Sequence, residues 1–274
     1  MRNKIFAGVA AGAIAAVGVA IPANAISDTT ADLYVLHAVP GLTVDVYVNG
    51  ELTLDDFEPG DLAGPLDLPA DTYTVAITAS DAADDSSPAI GPIDLTLEAN
   101  MSYTAVAHLD EAGDPTASLF TNDLSTVAAG EGRLTVRHTA AAPAVDVLAN
   151  DAVAFENLSN PDEVKADLAV GTISAAVALT GTTDPVIGPA DVEIAEGVNT
   201  IVYAWGSAAD DNLTLAVQTI DGLHSNPGGV DAGTAGLAAD NNNGILVAGL
   251  GGLVALLALA GFAAARLSAA RAAK

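Results

Sequence analysis

An internal repeat constrains the fold of this chain more than any other feature of its sequence. Residues 33–37 (LYVLH) align with 134–138 (LTVRH), and 44–49 (VDVYVN) align with 145–150 (VDVLAN), both at an offset of 101. Residues 90–94 (IGPID) align with 187–191 (IGPAD) at an offset of 97. Self-similarity at a fixed spacing indicates two copies of one structural unit. The repeat predicts modules at 26–125 and 131–221, joined by a connection too short to be flexible.

Each module has the pattern of antiparallel β-structure. Leu134, Val136 and His138 alternate with polar residues, which predicts a strand with one apolar face and one solvated face. Asn49-Gly50 predicts a two-residue hairpin turn, because both central positions of that turn favour positive φ. Further strands are predicted at 72–79, 93–97, 103–109, 172–179, 190–194 and 200–205. Six to eight short strands in about 90 residues are typical of a β-sandwich.

The two ends of the chain have the composition of membrane-targeting segments. Residues 1–25 combine a basic start, an apolar run and an Ala-Asn-Ala cleavage site, which predicts a secretory signal peptide. Residues 244–265 are uncharged and apolar over a length that spans a bilayer, and the basic tail 266–274 follows them. By the positive-inside rule, the C-terminus is predicted to be cytoplasmic and the modules extracellular. Residues 222–243, rich in Gly and Asn, are predicted to be a flexible stalk.

The charge of the chain excludes several classes of function. The sequence has 35 acidic and 8 basic residues, a net charge of −27 and no cysteine. All 35 acidic residues lie between 26 and 243, where Arg133, Arg137 and Lys165 are the only basic residues. Such a segment repels phosphate, so no nucleic-acid partner is expected. The lack of cysteine excludes disulfides, thiolate catalysis and cysteine metal sites.

The repeated histidines are the strongest candidates for catalysis. His37 and His138 are each followed eight residues later by an aspartate, Asp45 and Asp146, and a His–Asp pair can orient a general base. The alternation of each strand places His37 on the apolar face and Asp45 on the opposite one. Each histidine is therefore expected to donate a hydrogen bond to a neighbouring carbonyl, and no catalytic residue is assigned. An enzyme that uses these positions stays a less favoured alternative.

Acidic side chains cluster in four predicted loops. The clusters are Asp55, Asp56, Glu58 and Asp61; Asp81, Asp84 and Asp85; Asp110, Glu111 and Asp114; and Asp210 with Asp211. Converging carboxylates are the ligands that Ca²⁺ prefers, although none of these stretches matches an EF-hand loop. A calcium site and a merely solvated acidic surface, as in a saline environment, both remain open. No other cofactor is expected.

Three motifs carry a resemblance to a known family. Residues 37–40 (HAVP), 44–50 (VDVYVNG) and 68–75 (LPADTYTV) are similar to the motifs of the bacterial and archaeal domain of unknown function 4397. The second module keeps His138, Pro143 and residues 145–147, but has Asp151 at the hairpin glycine. The resemblance implies secreted immunoglobulin-like β-sandwiches and implies no activity.

These features together predict a membrane-anchored surface protein with two tandem β-sandwich modules. Its expected role is that of a binding or structural ectodomain for an extracellular or cell-envelope ligand. The alternatives that are not enzymes are a calcium-binding adhesion module and a sensor.

Overall fold

A computed structural model describes residues 28–224, which form sixteen β-strands. The first module contains eight of them: β1 (Thr30–Ala38), β2 (Val44–Val48), β3 (Glu51–Phe57), β4 (Leu62–Pro69), β5 (Thr72–Ala79), β6 (Ile90–Thr96), β7 (Ser102–Leu109) and β8 (Pro115–Thr121). One sheet has the order β4-β1-β7-β8 and the other β3-β2-β5-β6. Apolar side chains from both sheets meet in one core, so the module is a β-sandwich.

The second module repeats this arrangement. Its strands are β9 (Glu131–Ala141), β10 (Val145–Ala149), β11 (Ala152–Leu158), β12 (Glu163–Ala169), β13 (Gly171–Leu179), β14 (Pro185–Ile194), β15 (Asn199–Ser207) and β16 (Thr214–Ile220). The sheets have the orders β12-β9-β15-β16 and β11-β10-β13-β14, and a second core lies between them. The prediction of two β-sandwiches with up to eight strands each is confirmed. We call β4-β1-β7-β8 and β12-β9-β15-β16 the inner sheets.

The sheets differ from the prediction in one pairing per module. Strand β1 pairs with β7 in parallel, and β9 pairs with β15 in parallel, whereas every other pair is antiparallel. The expectation of purely antiparallel sheets is therefore wrong for the inner sheets. Side chains alternate between faces in both kinds of strand, so the hydrophobic pattern does not report strand direction.

The hairpin turn after β2 has the predicted conformation. Asn49 and Gly50 have φ of 52° and 78°, the positive values that the turn requires. In the second module Asn150 and Asp151 adopt 51° and 64°, so the turn is kept although the glycine is not. Aspartate tolerates this left-handed conformation better than most residues.

The glycine of the repeated Ile-Gly-Pro motif fills a tight backbone position. Gly91 and Gly188 have φ of 91° and 86°. A Cβ atom at these positions would lie 2.6 Å from the carbonyl oxygen of Val75 and 2.8 Å from that of Ala175, respectively. Only glycine fits, which explains why both modules carry it in the equivalent strands β6 and β14.

The two sandwiches pack against each other through the outer faces of their inner sheets. An apolar cluster joins them, formed by Tyr34, Leu36, Ala38, Val106 and Phe120 from the first module and Ile201, Tyr203, Trp205 and Ile220 from the second. The modules therefore touch, as the short connection predicted. Both cores and this interface are built from the sixteen strands of the described residues 28–224 and the segments that connect them.

This interface corrects one expectation about β9. Arg133, Thr135 and Arg137 occupy the face that the alternation assigned to solvent, yet they are only 6%, 2% and 1% exposed. The inner sheet of the first module covers them. The alternation predicts that the polar face of a strand is solvated, but here the polar side chains have hydrogen-bond partners inside the protein.

Several predicted segments lie outside the described residues: the signal peptide 1–25, the membrane span 244–265, the tail 266–274 and most of the stalk 222–243. The start of the predicted stalk is packed, since Leu223 is 1% exposed and residue 224 pairs with Val127. Within residues 28–224, no helix is long and apolar enough to cross a membrane.

Candidate functional site

The three basic residues of the described segment meet at the junction of the modules. Arg137, on β9, donates from Nε to Glu163 at 2.8 Å, from Nη1 to the Tyr203 hydroxyl at 2.7 Å and from Nη2 to Asn122 Oδ1 at 3.1 Å. Its guanidinium carbon lies 4.5 Å from the centre of the Phe120 ring. Asn122 and Phe120 belong to the first module, so this one cation binds both modules.

Arg133 and Lys165 share the carboxylate of Asp123. Arg133 donates from Nε and Nη2 to the two oxygens of Asp167, at 2.7 and 3.0 Å, and its Nη1 lies 2.9 Å from Asp123 Oδ1. Lys165 Nζ lies 2.6 Å from the other oxygen of Asp123. Asp123 follows β8 of the first module, whereas its two cations come from the second. The ion pairs therefore cross the junction.

The environment keeps Asp123 firmly ionised. Burial by itself would raise the pKa of this carboxyl, but hydrogen bonds from Lys165 and Ser125 and the charge of Arg133 outweigh it. The pKa of Asp123 is held well below its ordinary value. A carboxyl in this state is an acceptor of hydrogen bonds and is unsuited to donate a proton at neutral pH.

A buried chain of hydrogen bonds continues from Arg137 into the interface. The Tyr203 hydroxyl donates to Gln218 Oε1 at 2.6 Å, and the Thr104 hydroxyl lies 3.1 Å from the same oxygen. Thr104 belongs to the first module and Gln218 to the second. Burial raises the pKa of Tyr203 although Arg137 lowers it, so this hydroxyl stays protonated.

A polar cleft of about 420 Å³ opens beside these ion pairs. Its lining comes from both modules: Asn100, Met101, Ser102, Thr121, Asn122, Asp123, Leu124 and Ser125 from the first module and the segment after it, and Glu163 and Lys165 from β12. Hydrogen-bond donors and acceptors therefore face the same space. The lining contains none of the histidines of the described segment.

The repeated histidines have the structural partners that the sequence predicted. His37 Nε2 donates to the Leu42 carbonyl at 2.6 Å, and His138 Nε2 donates to the Pro143 carbonyl at 3.2 Å. Burial lowers the pKa of both rings, and the carbonyl bonds offset this only in part. Both histidines are therefore neutral at pH 7.

His108 aligns with Trp205 of the second module at an offset of 97, which predicts a packing residue at this position. It is 1% exposed, and its ring bonds the Leu109 carbonyl and the Ser118 hydroxyl at 2.8 and 2.9 Å. Burial lowers the pKa of this ring as well. The position holds a buried ring in both modules, as the alignment indicated.

The aspartates paired with the histidines in sequence have other roles. Asp45 Oδ1 accepts the backbone N–H of Asp56 at 2.9 Å, and Asp146 Oδ1 accepts that of Asn157 at 2.8 Å. Each bond holds the irregular strand β3 or β11, in which the donor residue, Asp56 or Asn157, has a positive φ. These carboxylates stabilise the backbone of a bulge rather than orient a histidine.

The structure brings only some of the calcium candidates together. Within residues 28–224, one group of three carboxylates could share a cation, and it consists of Asp55, Asp56 and the unpredicted Asp45, with oxygens within 4.8 Å of one another. The other candidates, Glu58, Asp61, Asp81, Asp84, Asp85, Asp210 and Asp211, are not part of this group.

Several of these acids close their own turns instead. Asp61 accepts the backbone N–H of Glu58 at 3.2 Å, and Asp84 accepts that of Ser86 at 3.0 Å. Asp110 accepts the N–H groups of Ala112 and Asp114, both at 2.9 Å. Aspartate is common in loops for this reason, without any metal.

The residues of the cleft are not among the site residues that the sequence predicts. A signal was present, because Glu163, Lys165 and Asp167 alternate with apolar residues on β12 and pair directly with Arg137, Thr135 and Arg133 of β9. All three basic residues of the segment 26–243 fall in this short region. In a chain with so many acidic residues, such a cluster of basic residues indicates a site where they form ion pairs with acidic side chains.

Part of the chain is similar to a described family. Residues 31–148 match the model of the family described as "Domain of unknown function (DUF4397)". The match covers the first module and continues to β10 of the second. No curated protein matches the chain.

Proposed function

We propose that this chain is a non-catalytic surface protein that binds an extracellular ligand in the cleft between its two immunoglobulin-like modules. The cleft carries the proposal, because both modules contribute to a single polar concavity of about 420 Å³. That volume lies within the usual range of small-ligand sites. The proposed surface location rests on the composition of residues 1–25 and 244–274.

The chemistry of the cleft favours a neutral, hydroxyl-bearing ligand. Asn100 and Lys165, which are exposed, supply donors, while Glu163 and Asp123 supply acceptors. The surplus of acidic residues repels anions from the whole segment. A short stretch of an uncharged envelope glycan, about the size of a disaccharide, fits both the volume and this set of groups.

The absence of a catalytic role is supported by the partners of the titratable groups. Asp123 is held ionised by two cations, and the histidines donate to backbone carbonyls away from the cleft lining. Binding without chemistry is the function that these groups support best.

The test measures the binding of two probes, maltose and chitobiose, to the segment 26–228 by isothermal titration calorimetry. We expect saturable binding of one of them, lost in Thr121→Trp, because Thr121 is exposed and lines the cleft. The matched control is Thr219→Trp, which changes the equivalent strand position in the second module outside the cleft. Binding that survives T121W, or no binding of either sugar at millimolar concentration, would refute the proposal.

A calcium-dependent adhesion module is the second candidate. The proximity of Asp45, Asp55 and Asp56 favours it. Against it, the second module has Glu156 and Asn157 at the last two positions and makes the same bulge without a third carboxylate.

A further inference from the structure

Each sandwich contains an apolar cavity between its two sheets. The cavity of the first module measures about 260 Å³ and that of the second about 220 Å³. Protein interiors are normally packed with few voids larger than a water molecule. An engineered apolar cavity of about 150 Å³ stays dry and binds benzene, so these two cavities have room for somewhat larger molecules.

The two cavities occupy equivalent places in the repeat. Leu33, Val35 and Val46 line the first, and their counterparts Leu134, Val136 and Val147 line the second. Both cavities also reach an exposed residue of an edge strand. These residues are Thr53 on β3 and Ala154 on β11, which is the equivalent strand of the second module. Each cavity therefore has a wall at the protein surface, through which a small molecule can enter.

The modules keep this space with different side chains. On two lining positions of β4 and β5 the first module has Leu66 and Val75, where the second has Ala166 and Ala175. At two lining positions of β7 and β8, the second module has the larger residues instead. There the first module has Ala105 and Ala117, and the second has Val202 and Leu215.

Each module thus places alanine where its repeat shows that a larger residue is accepted. If all four positions carried the larger residue, the cavity would be smaller by the volume of five methylene groups. A packing defect has no reason to persist in both copies through opposite substitutions, because filling a void stabilises a core. We propose that each sandwich binds a small, uncharged apolar molecule, of the size of a bicyclic aromatic or a short alkyl chain, in its inter-sheet cavity.

The charge of the ligand follows from the surroundings. The lining of the second cavity is made entirely of apolar residues, and the first adds only Asn49, Glu51 and Thr53 near the hairpin after β2. Glu51 and the acidic surface disfavour an anionic head group, which excludes a fatty-acid carboxylate. These sites are separate from the polar cleft, so this inference does not depend on the function proposed for that cleft.

The experiment is an NMR titration of the isotope-labelled segment 26–228 with naphthalene, read at the methyl groups that line each cavity. We expect saturable shifts at Val46 and at Val147. The double variant A105V/A117L should lose the shifts in the first module alone, and A166L/A175V should lose those in the second alone. Each variant installs residues that the other module carries, and each should melt at the same temperature as the parent or higher.

The variant Ala112→Leu adds the same bulk at an exposed loop position and should keep both sets of shifts. If a double variant fails to fold, the corresponding single variant, A117L or A166L, is used in its place. Absence of methyl shifts at saturating naphthalene would overturn the inference. Shifts that persist unchanged in the filled variants would overturn it as well.

Discussion

Arg137 shows how a single side chain can join two domains. It is 1% exposed, and its partners Glu163 and Tyr203 lie in one module while Asn122 and Phe120 lie in the other. A buried cation is costly unless its donors are satisfied, and here each guanidinium nitrogen has a partner. The equivalent residue of the first module is Leu36, which packs in the apolar part of the same interface.

Replacing Arg137 by leucine, the residue of the other module, should lower the free energy of unfolding by about 3 kcal/mol, because Tyr203 and Asn122 lose a charged partner inside the protein. Urea denaturation of the segment 26–228 measures this. The matched control is Lys165→Met, which removes a cation 48% exposed from the same cluster. An exposed ion pair contributes at most about 1 kcal/mol. Equal losses in the two variants would show that burial does not set the strength of this junction.

At the scale of the strands, local sequence patterns predict the strands but not the residues of the other module that pack against them. The β-forming residues of β5 and the Asn-Gly turn after β2 are local features of the sequence, and both predictions are confirmed. The cover over Arg133 and Arg137 comes from residues such as Asn122 and Phe120, which no periodicity connects to β9. The cleft is built from the same long-range contacts, so its residues could not be found from strand patterns alone.

The irregular strand β3 leads to a prediction about metals. Asp45 already accepts the N–H of Asp56, and Asp146 makes the same bond in a module that lacks a third carboxylate. Submillimolar Ca²⁺ and Mg²⁺ should therefore raise the melting temperature of the segment 26–228 equally, by screening alone. The variant Asp45→Asn should respond to the two ions in the same way as the parent. A larger shift with Ca²⁺ that disappears in D45N would establish a specific site.

For the whole molecule, the inner sheets decide whether one module can exist without the other. Each module has its own strands and core, which supports the expectation that each folds alone. Separation would nevertheless expose Tyr34, Leu36, Val106 and Phe120, which are all less than 9% exposed in the joined pair. An apolar patch of this kind on a soluble domain promotes association.

The segment 26–128, produced alone, should therefore melt cooperatively but sediment as a dimer through this face. Leu36→Arg, which introduces the residue of the second module, should shift it toward the monomer because two unpaired cations would face each other. Analytical ultracentrifugation at tens of micromolar distinguishes the species, with 26–228 run in parallel for comparison. A monomeric 26–128 with unaltered stability would contradict the importance of the interface.

The face-to-face packing of the inner sheets also limits how such a chain can grow. In a head-to-tail array every unit keeps a free end, and repeats can be added without limit. Here both units use equivalent surfaces for one mutual contact, as the protomers of a twofold dimer do. Each module buries the contact surface of the other, so no equivalent surface is exposed to bind a third copy of the repeat. Lengthening this ectodomain by duplication would have to proceed by adding modules two at a time.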